Sequence, residues 1–166
     1  MPSAAQINNV YIAFGANAGE RKKNIARAIA LLKTAGSVEK ISPLFSTKPE
    51  GHAQQADFLN GALLLKTALQ PLPLLQLLKE IETQVGRQAT FKNGPREIDL
   101  DIIFYNNQII TEGERLTVPH PRAHEREFVL LPVSFIAPRF EHPVFESSVA
   151  QLLKKLLQNK YAPAGK

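Results

Sequence analysis

The run IDLDIIFY at residues 98–105 constrains this chain more than any other stretch. It is β-branched and apolar apart from two carboxylates spaced two residues apart. Side chains alternate along a strand, so Asp99 and Asp101 point to one face. Ile98, Leu100 and Ile102 point to the other, where a core belongs. Two like charges roughly 6–7 Å apart repel unless a cation sits between or beside them. A hard divalent cation suits such oxygens and keeps positions open for phosphate oxygens. Spacing alone leaves a second reading equally open: two solvated carboxylates on the exposed side of a sheet.

Around that strand the periodicity alternates. Residues 10–14 (VYIAF) read as a strand ended by Gly15, and 15–19 as a loop. Over 21–35, Ile25, Ile29 and Leu32 fall at helical spacing, with Gly36 as the stop. Residues 38–47 read as extended with a break near Pro43, 48–57 as a polar loop, and 58–67 as a second extended run. Pro71 and Pro73 open a helix whose stripe is Leu74, Leu78, Ile81 and Val85, closed by Gly86. A polar loop spans 88–95. After the acid-bearing strand, Asn106-Asn107 and the run 108–110 predict a hairpin. The order β-α-β-β-α-β is the split βαβ, or ferredoxin-like, arrangement of the α+β class. It implies an antiparallel sheet with helices on one face. A Pro- and His-rich segment follows at 118–126, then a short helix over 128–137. An amphipathic helix capped by Ser147 or Ser148 completes a C-terminal helical extension. The 166 residues predict one domain, 1–166.

Composition bears on partners and compartment. The chain has no cysteine, which removes disulfides and thiolate metal sites and favours a reducing compartment such as the cytoplasm. Residues 1–9 lack a signal-peptide pattern, and no run approaches the ~20 apolar residues of a membrane span. The formal net charge of +5 predicts an anionic partner. Neither G-x-x-x-x-G-K-[ST] nor G-x-G-x-x-G occurs, so any nucleotide site must be built from loops and side chains.

Cationic residues gather near the acid pair. Arg96 stands at the entrance of its strand, Arg87 follows Gly86, and Arg115, His120, Arg122, His124 and Arg126 crowd the Pro-rich segment. The guanidinium fork suits phosphate, and phosphoryl-type transfer depends on positioning and charge stabilisation. Taken singly, each arginine reads first as a solvated surface charge. His120 and His124 are four apart, as in a zinc pair. However, Pro119 and Pro121 interrupt any helix there, and no third ligand is evident. His120 reads better as a donor to phosphate, and His52, His124 and His142 as loop histidines.

Six stretches in order carry a resemblance: Tyr11 to Asn17 (YIAFGAN), Asp57 to Asn60 (DFLN), Ile81-Glu82 through Gly86-Arg87, Gly94 to Asp101 (GPREIDLD), Leu116 to His120 (LTVPH), and Arg126 to Phe128 with Ile136 to Pro138. Together they resemble the 6-hydroxymethyl-7,8-dihydropterin pyrophosphokinases over most of the chain. The resemblance implies an ATP-dependent diphosphotransferase of folate biosynthesis. Such an enzyme passes pyrophosphate from Mg-ATP to the pterin, giving the pterin diphosphate and AMP. It implies that Asp99 and Asp101 bind two Mg²⁺ ions and form the catalytic group with Arg96 and Arg87. Glu82, Arg87, Arg96, Ile102, Thr117, His120 and Arg126 would line the ATP site, with Arg115 beside it. Asn60 would hydrogen-bond the pterin edge, Thr47 would touch it through its backbone, and Phe58 and Phe128 would sandwich the ring.

The residue types agree with those roles. A flat heterocycle gains from stacking between aromatic faces, and an amide matches both donors and acceptors. Core is the commoner fate of phenylalanine, whereas Asn60 in an apolar run calls for a polar partner. The implied partners are ATP and the pterin, with no nucleic acid, no membrane and a monomeric state. Ala16 stands where many relatives carry serine. Lys79, Ala89, Asn93 and Pro121 also depart from the family pattern, which leaves the detailed ATP contacts open. Three rival readings remain: an RNA-binding module, a metal-dependent phosphodiesterase on the same acid pair, and an inactive scaffold. The first would want aromatic residues where Asp99 and Asp101 stand.

Overall fold

A computed structural model describes residues 5–49, 55–86 and 95–162. Its centre is strand β1 (Asn8–Ala16), where small and apolar residues are buried on both faces. Helix α1 (Arg21–Leu32) follows, then β2 (Gly36–Ile41), β3 (Phe45–Thr47), β4 (Phe58–Thr67), helix α2 (Pro71–Val85) and β5 (Asp99–Tyr105). The sheet order is β2-β4-β1-β5, with β3 pairing β4 beside β2, and every pairing is antiparallel. That is the split βαβ order, so the ferredoxin-like α+β class is the one observed.

Helices α1 and α2 cover one face. Ile25, Ala28, Leu32, Leu74, Leu78 and Ile81 pack there against Val10, Ile12, Leu63, Leu65 and Leu100. Helix α2 starts at Pro71, where a missing N–H is no loss. It ends at Gly86, whose φ of 119° is left-handed and whose N–H returns to the carbonyls of Glu82 and Thr83.

Three features differ from the sequence expectation. Gly36 does not stop a helix: α1 ends at Leu32, and Gly36 opens β2. A Cβ there would lie 2.0 Å from the Lys66 carbonyl oxygen, so close strand approach is what requires glycine. Residues 108–110 do not pair back onto β5. Instead β6 (Ile110–Glu112) forms a hairpin with β7 (Leu116–Val118) across a turn with Gly113 at φ 56°. Finally, helices lie on both faces. Helices α3 (Glu127–Ile136) and α4 (Val149–Lys160) cover part of the second face, where Leu130, Val133, Ile136 and Val149 meet Ala62, Ile103 and Phe104.

A β-bulge makes that second core possible. Ile12 faces Ile102 while Tyr11 faces Phe104, so Ile103 is an extra residue in β5. Ile103 and Phe104 therefore both enter the α3–α4 core, and Tyr105 swings back to the first one, its hydroxyl donating to the Leu69 carbonyl at 2.6 Å. Helix α4 is held at its start by a capping box: the Gln151 N–H donates to Ser148 Oγ (3.1 Å), and the Ser148 N–H donates to Gln151 Oε1 (2.8 Å).

His142, just before α4, is buried with its ring against Phe104 and Phe145. Its Nδ1 accepts the N–H groups of Val144 (3.1 Å) and Phe145 (3.3 Å). Burial, aided by nearby His124, pushes its pKa down from 6.5 to about 4. The unfolded chain thus takes up this proton below pH 6.5, while the folded protein resists it until about 4. Its contribution is complete above pH 6.5 and is lost as pH falls toward 4. We expect the melting temperature to decline across that window. We expect the decline to shrink in His142→Asn, which keeps an acceptor but cannot be protonated; an unchanged pH profile in the variant would refute the assignment to His142.

Candidate active site

The uncovered part of the second face holds a cavity of about 250 Å³. Its floor comes from three strands in register. Asp99 on β5 stands opposite Gly15 on β1, which in turn stands opposite Asn60 on β4. The next row is Asp101, Ala13 and Ala62. Small residues on β1 thus leave open ground between two carboxylates and an amide. Gly15 is required there: a Cβ would come 2.5 Å from Asn60 Oδ1 and 3.5 Å from the Phe58 ring.

The walls carry the remaining chemistry. Thr47, Lys48 and Phe58 rise on the β3–β4 side, and Arg126, Phe128 and Val129 on the α3 side. Arg96 and Lys79 close the end near the acid pair. Asn60 is buried, and its Nδ2 donates to Thr47 Oγ1. Phe58 and Phe128 are half-buried wall residues, and Phe128 also packs against the α3–α4 core. The Arg126 guanidinium lies 5.4 Å from the centre of the Phe128 ring.

The carboxylates are held differently. Asp99 is half-buried, and its Oδ1 lies 3.8 Å from Arg96 Nε; Asp101 is exposed. Among the described residues no group of three His, Asp or Glu side chains could enclose a metal. Two carboxylates on an open face suit Mg²⁺, which retains waters and takes ligands from substrate phosphates. His120 stands within electrostatic range of Asp101, Arg126 and Arg122. Burial lowers its pKa, Asp101 partly opposes that, and the two arginines add to it. Its Nδ1 accepts the Arg122 N–H at 3.2 Å, so the neutral ring carries its proton on Nε2 and offers it as a donor.

Thr47, Phe58, Asn60, Arg96, Asp99, Asp101, Arg126 and Phe128 therefore meet in one cavity. Five residues expected at the nucleotide site lie off its wall, His120 among them. Ile102 shares the parity of Leu100 and is buried toward α1 and α2. Arg115 and Thr117 are exposed on the β6–β7 hairpin. Glu82 is buried beneath β5, where its Oε2 accepts the Leu100 N–H at 2.9 Å and its Oε1 lies 3.4 Å from Lys79 Nζ. Arg87, with His52, Ala89 and Asn93, lies outside the described residues. The sequence assigns no site role to Lys48, Gly15 or Asn17. The apolar-to-glycine step in YIAFG is the only local signal that pointed toward Gly15.

The chain is similar to known proteins in sequence and in fold. The family model described as 7,8-dihydro-6-hydroxymethylpterin-pyrophosphokinase (HPPK) matches residues 11–138. The chain is 45% identical over 138 residues to the 2-amino-4-hydroxy-6-hydroxymethyldihydropteridine pyrophosphokinase of Bacillus subtilis, covering 81% of this chain and 82% of that protein. It is 39% identical over 142 residues to the protein of the same name from Aquifex aeolicus, covering 86% and 88% respectively. A folic acid synthesis protein of Dictyostelium discoideum is 44% identical over 141 residues, 85% of this chain but 21% of that longer protein. Among solved structures, wild-type Plasmodium falciparum HPPK-DHPS with pteroate superposes with a TM-score of 0.75 at 16% identity. The match spans 98% of this chain and 45% of that one, and bears on the fold alone.

The Glu82 contact yields a prediction independent of any ligand. Glu82→Ala strands the buried Leu100 N–H and should cost about 1–3 kcal/mol in urea unfolding, whereas Glu82→Gln keeps an acceptor and should cost clearly less. Equal losses in both variants would show that the hydrogen bond is not what Glu82 contributes.

Proposed function

Because the chain belongs to the 7,8-dihydro-6-hydroxymethylpterin-pyrophosphokinase family, we propose that its cavity is divided into a pterin half and a phosphate half meeting over β1. The enzyme transfers a pyrophosphoryl group from ATP to hydroxymethyldihydropterin in folate synthesis. The observation that carries the division is the row Asp99–Gly15–Asn60, which sets acid pair and amide on one floor, two strands apart. Neighbouring strands lie ~4.8 Å apart, so the two stand on the order of 10 Å from each other. A pterin whose edge meets Asn60 then extends its hydroxymethyl arm toward the carboxylates.

In this reading Phe58 and Phe128 stack on the pterin, Asn60 matches its edge, and Thr47 orients the Asn60 amide. Asp99 and Asp101 hold magnesium, two ions in our reading, whose charge offsets that of the polyphosphate when bound. Arg96 and Arg126 present guanidinium forks to the phosphates, and His120 donates from Nε2. Arg87, Glu82, Ile102, Arg115 and Thr117 complete the proposed nucleotide side. Arg87 lies beyond the described residues, and the other four lie off the cavity wall.

The hydroxymethyl oxygen bonds to the β-phosphorus as the bond from that phosphorus to the α-phosphate bridging oxygen breaks. The hydroxyl proton leaves to solvent or a phosphate oxygen, and AMP departs. Fixed charge and positioning account for such a transfer without a dedicated strong base.

An RNA-binding sheet needs an open aromatic face, whereas α3 and α4 here cover Tyr11 and Phe104. We read the chain as a monomer acting in the cytoplasm, on its domain size and lack of cysteine. Among the described residues no helix is long and apolar enough to cross a membrane.

The test is AMP release from Mg-ATP with and without 6-hydroxymethyl-7,8-dihydropterin. We expect pterin-dependent AMP that disappears with EDTA. In Asp101→Asn, whose exposed position should leave the melting temperature unchanged, the rate should fall by about 100- to 1,000-fold. AMP formed equally without pterin would instead identify a nucleotide hydrolase. Gly15→Ala should raise the KM for pterin by about 10-fold or more, since the added methyl displaces Asn60; an unchanged KM would take Asn60 out of the pterin half.

A further inference from the structure

Asn17, at the turn leaving β1, uses both ends of its amide and its backbone at once. Its Oδ1 accepts the Arg96 N–H at 2.8 Å, while its own N–H and that of Ala18 donate to the Arg96 carbonyl at 2.9 and 3.0 Å. Its Nδ2 donates to the Ala56 carbonyl at 3.2 Å and to Gln55 Oε1 at 3.0 Å. The partners fix which end is which, because a backbone N–H needs an oxygen and a carbonyl needs a donor. The residue is 5% exposed. Two further bonds brace the junction: Arg21 Nη1 donates to the Asp57 carbonyl at 2.7 Å, and Asn24 Nδ2 donates to the Ala18 carbonyl at 3.2 Å.

The two segments tied by Asn17 serve opposite halves of the cavity. Residues 55–57 run directly into Phe58 and Asn60, the pterin half. Arg96 reaches the phosphate half, beside Asp99. Building on the division of the cavity proposed above, we propose that Asn17 is a positioning residue that holds both halves in one frame. Only an amide of this length serves. Aspartate accepts from the Arg96 N–H, and Gln55 can turn its amide to donate to it, but it meets the Ala56 carbonyl oxygen with a carboxylate oxygen and loses that tie; alanine loses both sides.

The test is a pair of variants with two readouts. In Asn17→Asp the KM for pterin should rise by about 10-fold, while kcat and the KM for ATP stay within about 3-fold. In Asn17→Ala the same rise should be joined by a fall in kcat of about 10-fold, as Arg96 slackens. Amide hydrogen exchange at Arg96 should remain slow in Asn17→Asp and become fast in Asn17→Ala. An unchanged KM for pterin in Asn17→Asp, or variants that lower the melting temperature with all rate constants preserved, would overturn the proposal. A wild type without pterin-dependent AMP release would be a failure of the reaction assigned to the cavity. The exchange measurement would then still decide whether Asn17 holds Arg96: slow exchange at Arg96 in Asn17→Ala would refute the clamp.

Discussion

Among the described residues the outer side of β5 has no strand partner, and its Leu100 amide is closed from below by the Glu82 carboxylate on α2. An exposed edge with unpaired donors would be free to fray or to pair elsewhere. Glu82 removes that freedom at the residue between Asp99 and Asp101. The Ile103 carbonyl farther along the strand accepts the His120 N–H at 3.0 Å, so the Pro-rich segment is tied to β5 as well. The acid pair therefore stands on a strand fixed from one side by α2, from the other by β1, and at its far end by the segment carrying His120. Preorganised charge is useful only where its carrier does not move, and β5 satisfies that condition.

The bulge at Ile103 reconciles two demands on the same strand. Near its start, alternation must expose Asp99 and Asp101 on the face opposite α1 and α2. Farther along, that same face must be apolar to seat α3 and α4. Strict alternation would place Ile103 there and return Phe104 to the first core. With one extra residue, Ile103 and Phe104 both join the second core, and Tyr105 resumes the first. One face of one strand is thereby catalytic at one end and structural at the other. The start of α3, with Arg126 and Phe128, falls at the boundary between the two.

Much of this was legible in the sequence, for reasons that differ by residue. The acid pair stood out because period-2 alternation is strict and carboxylates are rare in apolar runs. Gly86 was readable as a helix end, since a left-handed C-cap favours glycine. Ser148 was narrowed only to a pair, which the capping box resolved. Gly36 was misassigned because glycine signals both helix stops and close strand approach, and only the position of Lys66 distinguishes them. The bulge left no trace in the pattern, because Ile, Ile and Phe suit either face. Helices α3 and α4 were visible as helices, but no local signal states which side of a sheet they will cover. Glu82 and Asn17 were hardest to read: their roles lie in bonds to Leu100, and to Arg96 and Ala56, that span 18, 79 and 39 residues.

The floor of the cavity is set by hydrogen-bond register more than by side-chain conformation. Gly15 faces Asp99 on one side and Asn60 on the other because β1 is paired along its length with both neighbours. A slip of one residue between β1 and β5 would turn both carboxylates into the α1–α2 core, where their charge has no partner. The same slip would move Ile102 and Leu100 into the cavity. Burial of that apolar set is therefore coupled to placement of the acids: the free energy that packs Leu100 and Ile102 under the sheet also holds Asp99 and Asp101 above it. A site built this way needs few dedicated positioning residues on the strands themselves. Where the chain leaves the sheet, at Asn17 and Arg96, register no longer constrains it. There the positioning passes to the side-chain amide of Asn17.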